Sequence, residues 1–129
     1  MLVPMNSLVK TILVADDDED LRLLVQITLE NPSYRILTAV DGCQAIHAVN
    51  QYRPDLLIID WMMPGLNGCQ AVRQLRQNPQ TAAIPVVMLT AKDDEKSQKQ
   101  MASLELAGYL VKPFSPLALI KTVKEVLKS

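Results

Sequence analysis

The sequence predicts an α/β fold, a doubly wound parallel sheet of five strands with helices on both of its faces. Short apolar runs alternate with amphipathic segments along the chain, which gives five candidate strands and five candidate helices. Two of the runs, LLIID and VVMLT, are apolar up to a final polar residue, which is typical of strands covered on both faces. The 129 residues fit one domain with a sizeable core.

The predicted elements follow one another without a repeat or a linker. The strands are expected at residues 11–15, 34–39, 55–60, 84–91 and 108–114. Helical spacing of apolar residues predicts helices at residues 20–31, 41–52, 67–77 and 117–129. Residues 93–104 are mostly polar, so the helix predicted there depends on a weaker pattern. We assign residues 1–9 to an N-terminal extension and residues 10–129 to the domain.

The composition favours a soluble protein of the cytoplasm. Apolar residues make up 49% of the chain and charged residues 21%. The formal net charge of −1 provides no basic field for nucleic acid or an anionic membrane. No run approaches the roughly 18 apolar residues of a membrane helix. Cys43 and Cys69 form neither a disulfide framework nor a metal-ligand spacing, so we expect both to be reduced.

Polar side chains lie where the predicted strands end. Asp16 and Asp17 follow the first strand, Asp60 ends the third, Thr90 ends the fourth, and Lys112 lies on the fifth. They should converge, because sites in open parallel sheets form at the carboxyl ends of the strands. Clustered carboxylates suit Mg²⁺. A strand-end aspartate beside such a cation can attack a phosphoryl group, whose charge the cation and the lysine would share, and form an aspartyl phosphate.

Four segments occur together in an order and at a spacing that resemble the receiver domain of two-component response regulators. They are ILVADDD, LLIIDWMMPGLNG, VVMLTA and YLVKPF. The resemblance covers nearly the whole chain and implies a flavodoxin-like (βα)5 fold. It implies a single-domain regulator that accepts a phosphoryl group from a histidine kinase or a phosphotransfer protein on Asp60. Such a protein is not an enzyme in the ordinary sense, because it catalyses only its own phosphorylation and dephosphorylation.

The resemblance also assigns roles to single residues. The implied cofactor is Mg²⁺, with Mn²⁺ as a substitute. Its implied ligands are Asp17, the Asp60 carboxylate, the Met62 backbone carbonyl and, mainly through water, Asp16. Thr90 and Lys112 would contact the phosphoryl group. The peptide bond between Lys112 and Pro113 would be cis, which is uncommon even before proline.

A switch between two surfaces is implied as well. Phosphorylation would draw the Thr90 hydroxyl inward, and the ring of Tyr109 would fill the vacated space. The face formed by the fourth helix, fifth strand and fifth helix would then bind a downstream protein differently, as a monomer or as a phosphorylation-promoted dimer. Glu105 and Leu106 replace a Gly-Ala pair found in many receivers, and we expect them to alter the end of the fourth helix.

Other interpretations use parts of the same pattern. A calcium loop starting at Asp16 would need glycine and glutamate where the chain has Leu21 and Ile27, and DDDED would repel the phosphates of a nucleotide. A Mg²⁺-dependent phosphatase of the haloacid dehalogenase type needs a second acid two residues after its nucleophile, where the chain has Met62. A receiver-like binding module without phosphorylation would lack one of the site residues. The phosphatase and the binding module remain as alternatives.

The remaining residues near the expected site have ordinary interpretations. The acids at positions 18–20 favour the start of the first helix, where negative charge is stabilised. Trp61 is expected to be a loop aromatic beside the site. The side chains of Met62 and Met63 are expected to pack within the same loop.

Overall fold

The structure is a computed structural model that describes residues 9–91 and 94–128. The strands are β1 (Lys10–Ala15), β2 (Tyr34–Ala39), β3 (Leu56–Asp60), β4 (Val86–Thr90) and β5 (Gly108–Val111). The helices are α1 (Glu19–Thr28), α2 (Gly42–Tyr52), α3 (Gly68–Gln77), α4 (Glu95–Ala102) and α5 (Pro116–Leu127). These bounds agree with the predicted ones to within three residues. Most of the predicted N-terminal extension, positions 92–93 of the chain, and Ser129 lie outside the described residues.

The five strands form one parallel sheet in the order β2-β1-β3-β4-β5. This order confirms the predicted doubly wound, flavodoxin-like fold. The chain winds outward in one direction from β1 to β2 and in the other direction from β3 to β5. The carboxyl ends of β1 and β3 therefore border the topological switch point, where ligands bind in sheets of this kind.

Apolar packing covers the central strands on both faces. All residues of β3 and β4 are buried, and successive side chains of a strand point to opposite faces. Leu57 and Ile59 belong to the cluster that packs against α2, α3 and α4, whereas Leu56 and Ile58 belong to the cluster that packs against α1 and α5. The two clusters hold the ends of the central strands in fixed positions.

Each helix in the described part of the chain begins after a polar capping residue. The side chain of this residue accepts a hydrogen bond from a backbone amide of the first turn, which satisfies a donor that lacks a helical partner. The capping residues are Asp18, Asp41, Asn67, Asp94 and Ser115. Within the described ranges, no helix combines the length and apolar character needed to cross a membrane.

The turn between α4 and β5 contains a residue in an unusual conformation. Glu105 has a φ of 54°, in the left-handed region that favours glycine. The Arg76 guanidinium, on α3, donates hydrogen bonds to the carbonyls of Leu104 (3.0 Å) and Glu105 (3.2 Å). It also donates to the carbonyls of Ala82 (3.0 Å) and Ile84 (2.8 Å), which precede β4. One side chain thus connects the segments that lead into β4 and β5.

Candidate functional site

Three carboxylates meet at the carboxyl ends of β1 and β3. Asp16 and Asp17 directly follow β1, and Asp60 is the last residue of β3. One oxygen of each carboxylate lies within 4.8 Å of the others. Asp16 is completely buried, Asp60 is 6% exposed, and Asp17 is exposed. The convergence of strand ends therefore brings two buried acids and one solvent-facing acid together.

Lys112 bridges the two buried acids. Its Nζ lies 3.1 Å from Asp16 Oδ2 and 3.1 Å from Asp60 Oδ1. The lysine directly follows β5, and its backbone amide donates to the carbonyl of Thr90 at 2.7 Å. The peptide bond between Lys112 and Pro113 is cis. Three carboxylates and one ammonium group leave an excess of negative charge at this edge of the sheet.

Burial and neighbouring charges together shift the pKa values of Asp60 and Lys112. Burial raises the pKa of Asp60, the neighbouring Asp16 raises it further, and Lys112 opposes the shift. Burial tends to lower the pKa of Lys112, but its hydrogen bonds to Asp16 and Asp60 and their charges outweigh that effect and raise it. Lys112 is therefore cationic at neutral pH. The Asp60 anion is incompletely stabilised, so further positive charge beside it is favourable.

Asp16 is held at four of its atoms. Its backbone amide donates to the carbonyl of Ala39 at 3.1 Å. Its Oδ1 accepts from the Asp18 amide at 2.9 Å, and its Oδ2 accepts from Lys112. Its backbone carbonyl accepts from Arg22 Nη1 at 2.7 Å. Asp16 is thus tightly anchored, with a protein donor on each carboxylate oxygen.

Thr90 lies on β4, next to the strand of Asp60, and Tyr109 lies on β5, one strand further out. Thr90 ends β4 and is 2% exposed, and Asp60 pairs in register with the preceding residue of β4. Tyr109 lies on the edge strand β5 and is 39% exposed. A cavity of about 290 Å³ lies between the loop after β3 and α4, and Trp61, Thr90 and Ser97 contribute to its walls. Thr90 thus borders an open space beside α4.

The prediction for the two loop methionines is correct for one and wrong for the other. Met63 is 7% exposed and belongs to the apolar cluster under α2 and α3, as expected. Met62 is 70% exposed, so its side chain does not pack within the loop. The loop turns outward directly after Asp60, which leaves the Met62 side chain at the rim of the site.

Two glycines that shape the site were not predicted from the sequence. A Cβ on Gly68, the first residue of α3, would collide with the backbone carbonyl of Asp60. A Cβ on Gly42, the first residue of α2, would collide with the carbonyl of Leu66 in the loop before α3. The helices can approach the loop this closely only without a side chain at these positions. Their signal in the sequence was a glycine directly after a capping residue.

Comparison with known proteins shows which family this fold and site define. The family model described as the response regulator receiver domain matches residues 12–124. The chain therefore belongs to the response regulator receiver family, which confirms the resemblance given by the sequence motifs. Members of this family are phosphoacceptors of two-component systems and bind Mg²⁺ in their acidic cleft. The carboxylate oxygens that converge here are ligands of the type that Mg²⁺ prefers.

Curated relatives include regulators of transcription. The chain is 38% identical over 119 residues to the phosphate regulon transcriptional regulatory protein PhoB of Pseudomonas aeruginosa, covering 92% of this chain and 52% of the relative. It is 40% identical over 119 residues to the alkaline phosphatase synthesis transcriptional regulatory protein PhoP of Bacillus subtilis, covering 92% and 49%. The chain thus spans about half the length of the curated relatives it matches.

Solved structures show the same fold over nearly the whole chain. The chemotaxis protein CheY4 of Vibrio cholerae superposes with a TM-score of 0.86 at 33% identity, covering 92% of this chain and 99% of that chain. The receiver domain of the sensor histidine kinase PA1611 of Pseudomonas aeruginosa superposes with a TM-score of 0.84 at 25% identity, covering 94% and 99%. That structure has a magnesium ion coordinated in its active-site cleft.

Proposed function

We propose that this domain accepts a phosphoryl group on Asp60 in a Mg²⁺-dependent reaction and transmits the signal through a change of its surface. One observation carries the proposal. Asp60 ends a buried strand, its Oδ1 lies 3.1 Å from the Lys112 ammonium, and oxygens of two further carboxylates lie within 4.8 Å. A nucleophile, a fixed positive charge and a set of oxygen ligands are thus combined in one place.

The chemistry follows from these groups. An Asp60 oxygen attacks the phosphorus of a phosphohistidine, the new O–P bond forms as the P–N bond breaks, and the histidine nitrogen leaves with the bonding electron pair. Asp17, the Asp60 carboxylate and the Met62 carbonyl would hold Mg²⁺, with Asp16 acting through water. When bound, the ion neutralises negative charge on the phosphoryl oxygens. Mn²⁺ has the same preference for oxygen ligands and would substitute for it.

Lys112 and Thr90 complete the contacts to the phosphoryl group. The Lys112 ammonium already donates to Asp60, so it can follow the negative charge from the carboxylate to a phosphoryl oxygen with little movement. Thr90 ends the strand next to β3, and its hydroxyl can donate to another of these oxygens. The Asp60 product is then fixed by groups contributed by two neighbouring strands.

The rim of the site supports a protein as the phosphodonor. Large apolar side chains are exposed on three connections at this edge of the sheet: Val40 after β2, Met62 after β3 and Leu117 at the start of α5. Leu23 and Ile27 of α1 are also more than half exposed. Apolar groups grouped around a charged centre favour contact with another protein. A histidine kinase or a phosphotransfer protein that presents a phosphohistidine fits this rim.

The output would pass from Thr90 to the face formed by α4, β5 and α5. Movement of the Thr90 hydroxyl toward a phosphoryl group changes the cavity beside it, and the Tyr109 ring can move inward from its half-exposed position. A downstream protein, or a second copy of the chain, would bind the changed face. Several relatives are named as regulators of transcription, and one is named as a DNA-binding response regulator. That this chain does not contact nucleic acid remains a prediction.

Labelling with acetyl phosphate tests the proposal directly. The wild-type protein with Mg²⁺ should gain a phosphoryl group by intact-protein mass spectrometry, and chelation of Mg²⁺ should prevent it. Asp60→Asn should not be labelled, because an amide is a poor nucleophile. Asp55→Asn is the matched control, since Asp55 precedes β3 and its carboxylate accepts from the Thr11 amide at 2.8 Å.

Three results would contradict the proposal. Full labelling of Asp60→Asn would show that another residue is the phosphoacceptor. Continuous release of phosphate from a phosphomonoester over many turnovers would instead favour the phosphatase alternative. Failure of the wild-type protein to take up phosphate from acetyl phosphate and from a panel of kinases would favour the binding module.

A further inference from the structure

Arg22 binds the backbone between the two acids that follow β1. It lies in the first turns of α1, and its Nη1 donates to the Asp16 carbonyl at 2.7 Å in a partly buried hydrogen bond. Its own backbone amide donates to the Asp18 carbonyl at 3.0 Å. The start of α1 is therefore joined to the loop at two points, on both sides of Asp17. A hydrogen bond from a charged group is among the stronger ones in proteins.

This contact restricts the direction of the Asp17 side chain. The peptide group is planar, so fixing the Asp16 carbonyl also fixes the amide of Asp17. The Asp16 side chain is already held by the Asp18 amide and by Lys112. Asp17 is exposed, so the direction of its carboxylate depends on its backbone rather than on packing. Arg22 thus acts on the acid that is not held by burial.

We propose that Arg22 is a positioning residue for the divalent cation. By holding the Asp16 carbonyl, it keeps the Asp17 carboxylate directed toward Asp60. This inference rests on the proposed Mg²⁺-dependent function. Residues that orient metal ligands without touching the metal commonly change its affinity by about 10- to 100-fold when they are replaced.

The positive charge of Arg22 has the opposite effect on the same equilibrium. A guanidinium near the acids repels a cation, so its removal alone would strengthen Mg²⁺ binding. Positioning and repulsion therefore predict changes of opposite sign. Arg22→Met removes the donors and the charge together. Arg22→Lys keeps the charge and a single, less well-directed donor.

The experiment is a Mg²⁺ titration in which the fluorescence of Trp61 reports binding, because Trp61 borders the site. We expect the Mg²⁺ dissociation constant of Arg22→Met to rise by about tenfold, and that of Arg22→Lys to lie between it and the wild type. Arg73→Met is the charge-matched control, because Arg73 is an exposed residue of α3, and we expect it to resemble the wild type. Thermal unfolding without Mg²⁺ shows whether each variant is folded.

Several outcomes would overturn the inference. Equal or tighter Mg²⁺ binding by Arg22→Met would show that repulsion dominates or that Asp17 is oriented without Arg22. A lower unfolding temperature with an unchanged dissociation constant would assign Arg22 a purely structural role. If Arg22→Met does not fold, the test uses Arg22→Lys, which should bind Mg²⁺ more weakly than the wild type. A wild-type protein without any Mg²⁺ response would overturn both the inference and the proposed function, whereas a normal wild-type response isolates the role of Arg22.

Discussion

The acidic edge of the sheet and the α4–β5 region are built in different ways. Every residue of β3 is buried beneath helices on both faces. Asp16, which follows the neighbouring strand β1, is held by several hydrogen bonds. In contrast, no residue of β5 is fully buried, and α4 buries only Ser97 and Met101. Elements with few buried apolar contacts open and shift at low free-energy cost. The nucleophile Asp60 and the acids beside it therefore lie on the rigid part of the fold, and the proposed output face lies on the part that can move.

Polar contacts supplement the apolar packing of Leu104 where α4 leads into β5. The Arg76 guanidinium donates to carbonyls that precede β4 and to carbonyls that precede β5. Burial lowers the pKa of Arg76, and the charge of Glu105 opposes that shift. The contact anchors the end of α4 far from Thr90. Movement of the output face is then easiest at the other end of α4, next to the site.

The largest effect is expected when a glycine at the acidic edge, Gly68, is replaced, and a glycine of the α4–β5 region, Gly108, provides the comparison. Gly68→Ala places a methyl group against the Asp60 carbonyl and should lower the free energy of unfolding by about 2–3 kcal/mol. It should also slow labelling of Asp60 by about tenfold or more, because the nucleophile is displaced. In Gly108→Ala the added Cβ would lie 3.7 Å from Thr122 Cγ2, an ordinary contact.

Urea unfolding and acetyl phosphate labelling check this contrast. We expect Gly108→Ala to change the free energy of unfolding by no more than about 0.5 kcal/mol. Similar losses in the two variants would show that the α4–β5 region is packed as tightly as the site.

The features that could be predicted from the sequence are those carried by local pattern. Continuous apolar runs identified β3 and β4, and parallel winding implied that Asp60, Thr90 and Lys112 would lie together. The polar α4 gave a weaker signal because it buries little. Side-chain contacts between separate elements, such as those of Arg22 and Arg76, could not be predicted, since they depend on how helices are placed against turns.

A second prediction concerns transmission between the two regions. Thr90→Ala and Tyr109→Ala should still accept phosphate on Asp60 but lose most of the phosphorylation-dependent shifts of amide NMR signals in α4 and α5. Tyr52→Ala is the matched control, because Tyr52 is 44% exposed on α2 and Tyr109 is 39% exposed. An intact response in Tyr109→Ala would mean that the coupling takes another route.

A third prediction uses the raised pKa of Asp60. Because its pKa in the folded protein is above the reference value of 3.8, ionisation of Asp60 disfavours the fold. This unfavourable contribution is absent below pH 3.8, where the acid is protonated in both states, and complete above the folded pKa. Without divalent cations, Asp60→Asn should therefore be more stable than the wild type at neutral pH.

The stability difference between Asp60→Asn and the wild type should shrink as the pH falls toward 3.8. Urea unfolding of both proteins at several pH values measures this difference. The other acidic residues are the same in both proteins, so their contributions to the pH dependence largely cancel in the difference. Lower stability of Asp60→Asn at neutral pH would mean that the ion pair with Lys112 outweighs the effects of burial and of Asp16.

The smallest expected effect lies in the turn after α4. Glu105 adopts a φ of 54°, which strains any residue that has a Cβ. Both Glu105→Ala and Glu105→Gly remove the charge near Arg76. The difference between their free energies of unfolding therefore reports only the effect of the backbone conformation. We expect the glycine variant to be more stable than the alanine variant by about 1 kcal/mol in urea unfolding. Labelling of Asp60 should be equal in both, because the strain lies in the region distant from the acids. A change in labelling would show that this turn and the acidic edge are energetically coupled.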